Sequence, residues 1–124
     1  MNEMDSLDET LRPLALKISE SGRTVFFTGA GISTESGIPD FRSPGGIWTT
    51  YRPVMFDDFM NSHKARVEYW QQKMAFSELM KDVRPNPAHE AIVRLHVMGL
   101  VEGVVTQNVD GMHQAAGMPE DRVV

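Results

Sequence analysis

The sequence has no cysteine, no hydrophobic run long enough to cross a membrane and no excess of basic residues. Without cysteine there can be no disulfide, no thiolate zinc site and no cysteine nucleophile, so any catalysis must use other side chains. A membrane span needs about 20 apolar residues, and the acidic start MNEMDSLDET differs from a basic and then apolar signal peptide. These absences favour a cytoplasmic protein that does not bind membranes.

The charge balance excludes another class of partner. The chain carries 12 Lys and Arg against 17 Asp and Glu, which gives a net charge of −5, and the basic residues are scattered. A general nucleic-acid binder would instead present a basic patch, so we expect no direct contact with nucleic acid.

What the sequence does contain is a core of ordinary size and alternating secondary-structure patterns. Of its 124 residues, 41% are hydrophobic. Periodicity and turn residues predict helices over 6–21 and 88–98, strands over 24–28 and 101–107, loops over 29–48 and 108–117, and a third strand beginning at 122. Within 56–83 they predict a short FDDFM turn followed by a longer helix. We expect the first helix to open with a capping box of Ser6 and Glu9, and Pro13 to lie in the first turn of its regular part.

The longer helix within 56–83 carries apolar side chains on more than one stripe, which predicts that protein covers it on most sides. Its methionines are interpreted as adaptable core packing. Strands that alternate with helices indicate an α/β fold with a parallel sheet. Because two strands and the start of a third leave the sheet edges unpaired, we expect a chain truncated within the sheet that can self-associate through those edges.

The first strand runs into a Gly-x-Gly turn, Gly29 to Gly31, which suits the backbone of a phosphate cradle. Thr34 stands where a third glycine is usual, so a simple tight turn remains an alternative for these residues alone. The following loop nevertheless packs hydroxyls, an acid, an aromatic and a guanidinium into ten positions, which a structural loop does not need. A second polar cluster, residues 106–110, ends the second strand, and both clusters are predicted to face one crevice.

Together these residues closely resemble the sirtuin family of NAD-dependent protein lysine deacylases. The resemblance rests on three motifs: GAGISTESGIPDFRSPGGIW over 29–48, PNPAHEAI over 85–92 and TQNVDGMHQAAG over 106–117. It implies a Rossmann-like sheet with helices on both faces, formed by residues 1–48 and 84–124. Residues of about 49–83 would then belong to a helical small domain.

The resemblance also implies residue roles around NAD as co-substrate. The phosphates and adjoining ribose would lie along Gly29, Ala30, Gly31, Ser33 and Thr34. A mobile loop with Phe41 and Arg42 would cover the nicotinamide ribose. Gln107 and Asn108 would contact the same ribose. Val109 and Asp110 would form the pocket that binds the nicotinamide carboxamide. Asn108 is the catalytic candidate. In the family reaction the acyl-lysine carbonyl oxygen displaces nicotinamide, and the products are deacylated lysine and O-acyl-ADP-ribose.

Other family features would lie outside this sequence. The family's general-base histidine follows the strand that begins here at Arg122, and its cysteine zinc module is also absent, so no residue of the chain is assigned to metal. His113 belongs to a loop helix in the family pattern, and His89 and His96 are interpreted as capping or surface residues.

One departure from the family pattern bears on acyl choice. Sirtuins that prefer succinyl or malonyl lysine share a Tyr-x-x-Arg pair, and the matching residues here are Trp70 and Lys73, or a pair shifted by one residue towards Tyr69. We therefore expect acetyl or another uncharged acyl group. Two functions stay open: the N-terminal portion of a sirtuin, inactive alone, and a non-catalytic binding module that retains part of the NAD site.

Overall fold

A computed structural model describes residues 3–124. Six α-helices and two strands follow one another in this part of the chain. Their bounds are α1 Glu3–Ser21, β1 Thr24–Thr28, α2 Ile47–Thr50, α3 Phe56–Asn61, α4 His63–Met80, α5 Pro87–Val97, β2 Val101–Thr106 and α6 Met112–Ala115. Two 3-10 helices occupy Ala30–Ser36 and Glu120–Arg122. No helix of the described residues is both long and apolar enough to cross a membrane.

The two strands pair in parallel, with Phe27 opposite Val105 and Thr28 opposite Thr106. Such a pair requires a crossover, which the helices between β1 and β2 supply. The predicted third strand begins on the far side of β2, where Val123 forms a parallel bridge with Val104. The α/β prediction and both predicted strands are thus confirmed.

The core lies where α5 packs on one face of the sheet. Ile92 from α5 meets Val101 and Val104 from β2, and Met118 closes the cluster. Asn86 caps α5 by accepting the backbone N–H of Ala88 at 2.9 Å. The Asn86 Nδ2 donates to the Ile32 carbonyl at 2.7 Å, which ties the start of α5 to the 3-10 helix that follows β1.

Predictions about α1, about the loop after β1 and about α4 are wrong. Helix α1 begins before Ser6 and continues through Pro13. Ser6 is no cap, because α1 already begins at Glu3 and Ser6 lies inside the helix. The predicted loop 29–48 contains the first 3-10 helix and the start of α2. Helix α4 has no buried residue, so it is not covered on most sides within the described residues, and Met55, Met60 and Met74 are exposed rather than packed.

Candidate functional site

The two polar motifs meet at one edge of the sheet because β1 and β2 run in parallel and end together. The backbone N–H of Gln107, directly after β2, donates to the Thr28 carbonyl at 3.0 Å. The Gly-x-Gly turn and the second polar cluster are therefore neighbours, in the arrangement that places ligands at the carboxyl ends of parallel strands.

A single cavity at this edge gathers most of the residues that the sequence singled out. Residues of α4 form its far wall, among them Tyr69, Gln72 and Lys73. The singled-out residues that line it are Ala30, Ser33, Phe41, Gln107, Asn108, Val109 and Asp110. Arg42 lines an adjoining cavity that shares Phe41 and Gln107 with the first, whereas Thr34 lines a third cavity formed by its own loop.

Asn108 is held at two points. Its backbone N–H donates to Thr106 Oγ1 at 3.0 Å, and its side-chain Nδ2 donates to the Gly29 carbonyl at 2.9 Å. With the amide nitrogen directed at Gly29, the amide oxygen is the group left to accept a hydrogen bond from a ligand. Gly29 serves this site through its carbonyl rather than by lining the cavity.

Asp110 is oriented by two donors. The Ser33 hydroxyl donates to Oδ2 at 2.6 Å, and the backbone N–H of Met112 donates to Oδ1 at 3.0 Å. The buried Ser33 hydroxyl also links Asp110 to His89, whose Nε2 lies 3.4 Å from the Ser33 oxygen. At the other side of the ring, His89 Nδ1 accepts the Asn86 backbone N–H at 3.1 Å. The predicted capping role of His89 is confirmed, and the same ring supports the Asp110 carboxylate through Ser33.

A second series of buried hydrogen bonds lies beneath Asn108. The Thr28 hydroxyl donates to Thr106 Oγ1 at 2.9 Å and lies 2.8 Å from His113 Nε2. Because Thr28 gives its only proton to Thr106, the His113 ring must donate from Nε2, which leaves Nδ1 unprotonated. That Nδ1 is buried and has no hydrogen-bond partner among the described residues. His113 is thus a buried support of the site, in agreement with its interpretation as a loop-helix residue.

Thr28 and the contact between the two histidines were not found from the sequence. The His89 and His113 rings meet edge to face with 5.2 Å between centroids. A threonine that ends a strand carries no signal that separates it from other strand threonines. The only available signal for His89 was its place in the PNPAHEAI motif, three residues after the capping asparagine.

Burial lowers the pKa of both histidines below their ordinary value of 6.5. For His113 the neighbouring His89 lowers the pKa further, and for both rings the Asp110 carboxylate acts in the opposite direction. The hydrogen bonds require the same neutral form, since a proton on His89 Nδ1 would face the Asn86 N–H. Both rings are fully buried, so the site is built around two neutral imidazoles.

This pair predicts a loss of stability in mild acid. A lowered folded-state pKa contributes stability above pH 6.5 that is lost as the pH falls through the folded-state value, because the unfolded chain then binds more protons. We expect the free energy of unfolding, measured by urea titration, to fall between pH 7 and pH 5. His113→Gln should flatten that slope, whereas His63→Gln on exposed α4 should not. Equal slopes in all three proteins would contradict the prediction.

No group of three or more metal-ligating side chains forms among residues 3–124. His89 and His113 lie close together, but their ring nitrogens already form hydrogen bonds with Ser33, Asn86 and Thr28.

The sequence matches the profile of one known protein family. The sequence profile described as the Sir2 family matches residues 29–124, which is most of the chain and includes all three motifs. The chain belongs to the Sir2 family.

Curated Sir2 relatives are similar over nearly the whole of this chain. The NAD-dependent protein deacetylase 1 of Bradyrhizobium diazoefficiens is 50% identical over 107 residues, which cover 86% of this chain and 42% of the relative. The NAD-dependent protein deacetylase of Rhodopseudomonas palustris is 44% identical over 119 residues, covering 96% and 47%. This chain therefore spans less than half the length of these relatives.

Solved Sir2 structures share the fold. One, from work on the mechanism and regulation of Sir2 enzymes, superimposes with a TM-score of 0.78 at 41% identity and covers 94% of this chain and 45% of that one. A Sir2 complex with p53 peptide and NAD⁺ gives 0.76 at 36% identity, covering 92% and 44%. The α/β, Rossmann-like Sir2 fold class is confirmed, and our chain matches under half of each neighbour.

Proposed function

We propose that this chain carries part of the active site of an NAD-dependent protein lysine deacetylase, with NAD as co-substrate and an acyl-lysine peptide as second substrate. One observation carries the proposal: the two motifs form a single cavity in which Asn108 and Asp110 are each fixed by two hydrogen bonds. The NAD-dependent relatives and the neighbour bound to NAD⁺ and p53 peptide support it.

The residues present suit such a ligand. Asn108 Oδ1 can accept a ribose hydroxyl, and the Asp110 carboxylate keeps acceptor capacity for a carboxamide N–H beside its bonds to Ser33 and Met112. Phe41, Arg42 and Gln107 surround the same edge and supply an aromatic face, a planar donor and an amide. The proposed cofactor-binding residues are Gly29, Ala30, Gly31, Ser33, Thr34, Phe41, Arg42, Gln107, Asn108, Val109 and Asp110.

In the proposed reaction the acyl-lysine carbonyl oxygen displaces nicotinamide from NAD, and O-acyl-ADP-ribose and free lysine are the products. The contribution of this chain is to bind and orient both substrates, which supplies several kcal/mol of acceleration in well-positioned reactions. The buried bonds beneath Asn108 and Asp110 hold both groups in place before substrate arrives. The zinc module is proposed to lie outside these 124 residues, as is the general base.

The proposal predicts different results for the chain alone and for a chimera that joins it to the remaining part of the Bradyrhizobium relative. With NAD and an acetyl-lysine peptide, we expect the chain alone to release no nicotinamide, because no histidine is placed as the base, and the chimera to release it in a peptide-dependent way. A folded chimera without turnover would contradict the deacetylase proposal. Steady nicotinamide release by the chain alone would contradict its inactivity.

The alternative function, a non-catalytic binding module, makes its own prediction. It would bind the acetyl-lysine peptide as the isolated chain, with an affinity that NAD does not alter, and the chimera would add no turnover. Calorimetry of the chain with peptide, in the presence and absence of NAD, separates the two functions.

Acyl preference follows from the cavity wall on α4. Lys73 lines the cavity with its Nζ 5.3 Å from the centre of the Tyr69 ring, whereas Trp70 is 58% exposed and does not line it. A lysine offers a point charge rather than the fork that binds a carboxylate at two points. We therefore propose acetyl or another uncharged acyl group as the preferred substrate.

We expect the chimera with Trp70→Tyr and Lys73→Arg to show a higher ratio of desuccinylation to deacetylation than the unmodified chimera, since arginine and tyrosine together bind an acidic acyl tail. The single change Gln72→Arg is the comparison, because Tyr69 and Gln72 line the cavity with the same spacing. A response to Gln72→Arg alone would place the pair one residue earlier. An unchanged ratio in both variants would reject both alignments.

A further inference from the structure

The loop that follows the first 3-10 helix closes on itself. Two backbone hydrogen bonds join its ends: the Ile47 N–H donates to the Asp40 carbonyl at 2.6 Å, and the Trp48 N–H donates to the Phe41 carbonyl at 3.0 Å. The rings of Phe41 and Trp48 also pack together, with 5.4 Å between their centroids. Residues 40–48 therefore form a compact unit, which we call the 40–48 loop.

The Asp40 side chain organises the turn inside this loop. Its Oδ1 accepts the Ser43 backbone N–H at 3.0 Å, and its Oδ2 accepts the Ser43 hydroxyl. The Gly46 N–H donates to the Ser43 carbonyl at 2.8 Å, so Ser43 links Asp40 to the far side of the turn. Asp40 thus accepts hydrogen bonds both at its backbone carbonyl, where the loop closes, and at its carboxylate, where the loop turns.

Gly46 is the position in this turn that has no space for a side chain. A Cβ atom there would lie 2.6 Å from the Asp40 carbonyl oxygen, 2.7 Å from Asp40 Oδ1 and 2.9 Å from the Ser43 carbonyl oxygen. These distances are shorter than van der Waals contact, so a side chain would push Asp40 away from the turn. The buried Gly46 allows the close approach that the Asp40 hydrogen bonds require.

The 40–48 loop lies beside the proposed NAD site. It supplies four residues to a cavity that also includes residues directly after β1 and β2. The cavity is lined by Ala30, Asp40, Phe41, Arg42, Trp48 and Gln107. Within residues 3–124, the Arg42 guanidinium forms no ion pair. The place of its charge beside this cavity therefore depends on the backbone of the loop, which Asp40 fixes.

We propose that Asp40 is a positioning residue that holds the 40–48 loop, and with it Phe41 and Arg42, in the shape that meets NAD. The inference rests on the proposed function. A segment that is already ordered before the ligand arrives raises affinity, because binding no longer has to order it. Asp40 acts through Ser43 and Gly46 rather than through its charge. Its loss should therefore weaken the binding of NAD and leave the binding of peptide unchanged.

The 124-residue chain itself tests whether Asp40 holds the loop. After Trp70→Phe, Trp48 is the only tryptophan, and its quenching by acrylamide reports how closely its ring packs on Phe41. We expect Asp40→Ala in this background to raise the quenching constant and to shift the emission maximum to longer wavelength. Gly46→Ala should have the same effect, because it displaces Asp40 without changing any charge.

Two further variants separate positioning from charge. Asp40→Asn keeps an oxygen that can accept the Ser43 N–H, and the Ser43 hydroxyl can accept a hydrogen bond from the new amide nitrogen. We expect it to keep the Trp48 fluorescence of the unchanged loop. Asp82→Ala is the matched control, because Asp82 is exposed after α4 and lies outside the cavities that the loop lines. It loses the same charge as Asp40→Ala and should change nothing. Circular dichroism should show the same helix content in all variants.

The chimera with the Bradyrhizobium relative tests the consequence for NAD. Asp40→Ala should raise the KM for NAD at least about tenfold, because binding then has to order the loop. The KM for the acetyl-lysine peptide should change little. Asp40→Asn should keep the KM for NAD close to that of the unmodified chimera.

Several outcomes would overturn the inference. Unchanged Trp48 fluorescence in Asp40→Ala would show that Asp40 does not hold the loop, and an unchanged KM for NAD would show that the held shape does not serve NAD. Equal increases in both KM values would indicate general damage to the site. If Asp40→Asn proved as harmful as Asp40→Ala, the carboxylate charge would act directly on the ligand. A folded chimera without turnover would contradict the proposed function, whereas the fluorescence of the chain alone would still decide whether Asp40 holds the loop.

Discussion

Replacing Asn108 by alanine in the chimera is expected to slow nicotinamide release by at least about 100-fold, which is the typical cost of removing one oriented polar group from a reacting centre. The Asn108 amide nitrogen is bound to the Gly29 carbonyl, so its oxygen is set in one direction before substrate binds. In the proposed role Asn108 serves the reacting sugar and not the peptide. The dissociation constant for acetyl-lysine peptide should therefore change little.

The measurement is kcat and KM for nicotinamide release, together with peptide affinity by calorimetry. Gln114→Ala is the matched control, because Gln114 presents an exposed amide on α6 that does not line the cavity. We expect it to leave both quantities unchanged. An equal loss of turnover and peptide affinity in Asn108→Ala would mean that the residue holds the site together without acting on NAD.

The sequence was sufficient to predict the elements that position this site. A β-branched and aromatic run followed by glycines predicted β1 and its end, and Val101 to Gln107 predicted β2 in the same way. Once both strands are parallel, their polar ends must meet at one edge. The sequence therefore predicts that Ser33, Asn108 and Asp110 converge on one crevice.

The errors have physical causes. Pro13 forfeits one hydrogen bond inside α1, but α1 is a long exposed helix whose other bonds outweigh that loss. In the loop 29–48, a 3-10 helix forms from Gly, Ser and Thr because its carbonyls are capped locally, as when Gly37 at a φ of 92° donates its N–H to Thr34. Apolar side chains on α4 predicted burial, yet periodicity cannot say whether a neighbour is present to cover them.

The buried hydrogen bonds beneath Asn108 could not be predicted from the sequence, for a different reason. Thr28 is 78 residues from Thr106 and 85 from His113, and their shared hydrogen bonds depend on the strand register and on the turn that brings α6 back under β1. Residue type alone gives no reason to prefer Thr28 over Thr24. Only the side-chain directions fixed by the fold distinguish a buried hydroxyl from an exposed one.

That distinction leads to a large predicted effect on stability. Thr28→Val keeps the shape of the side chain but removes the hydroxyl that joins Thr106 Oγ1 to His113 Nε2. The buried ring then keeps a donor with no acceptor, and a buried group left unsatisfied costs about 1–3 kcal/mol. With the Thr106 bond also lost, we expect the free energy of unfolding to fall by about 2–4 kcal/mol, a large part of the 5–15 kcal/mol typical of a domain.

Urea unfolding of two comparison variants isolates the hydroxyl. Thr28→Ser keeps it and removes one methyl group, so its cost should stay near about 1 kcal/mol. Thr24→Val removes a hydroxyl at the half-buried start of β1, where Oγ1 forms a hydrogen bond with the Ser21 hydroxyl at 3.2 Å, and should change stability by less than about 0.5 kcal/mol. If Thr28→Ser proved as damaging as Thr28→Val, packing of the methyl group would explain the loss. The buried hydrogen bonds that join His113, Thr28 and Thr106 would then contribute little to holding the two strand ends in place. They would contribute equally little to the position of Asn108.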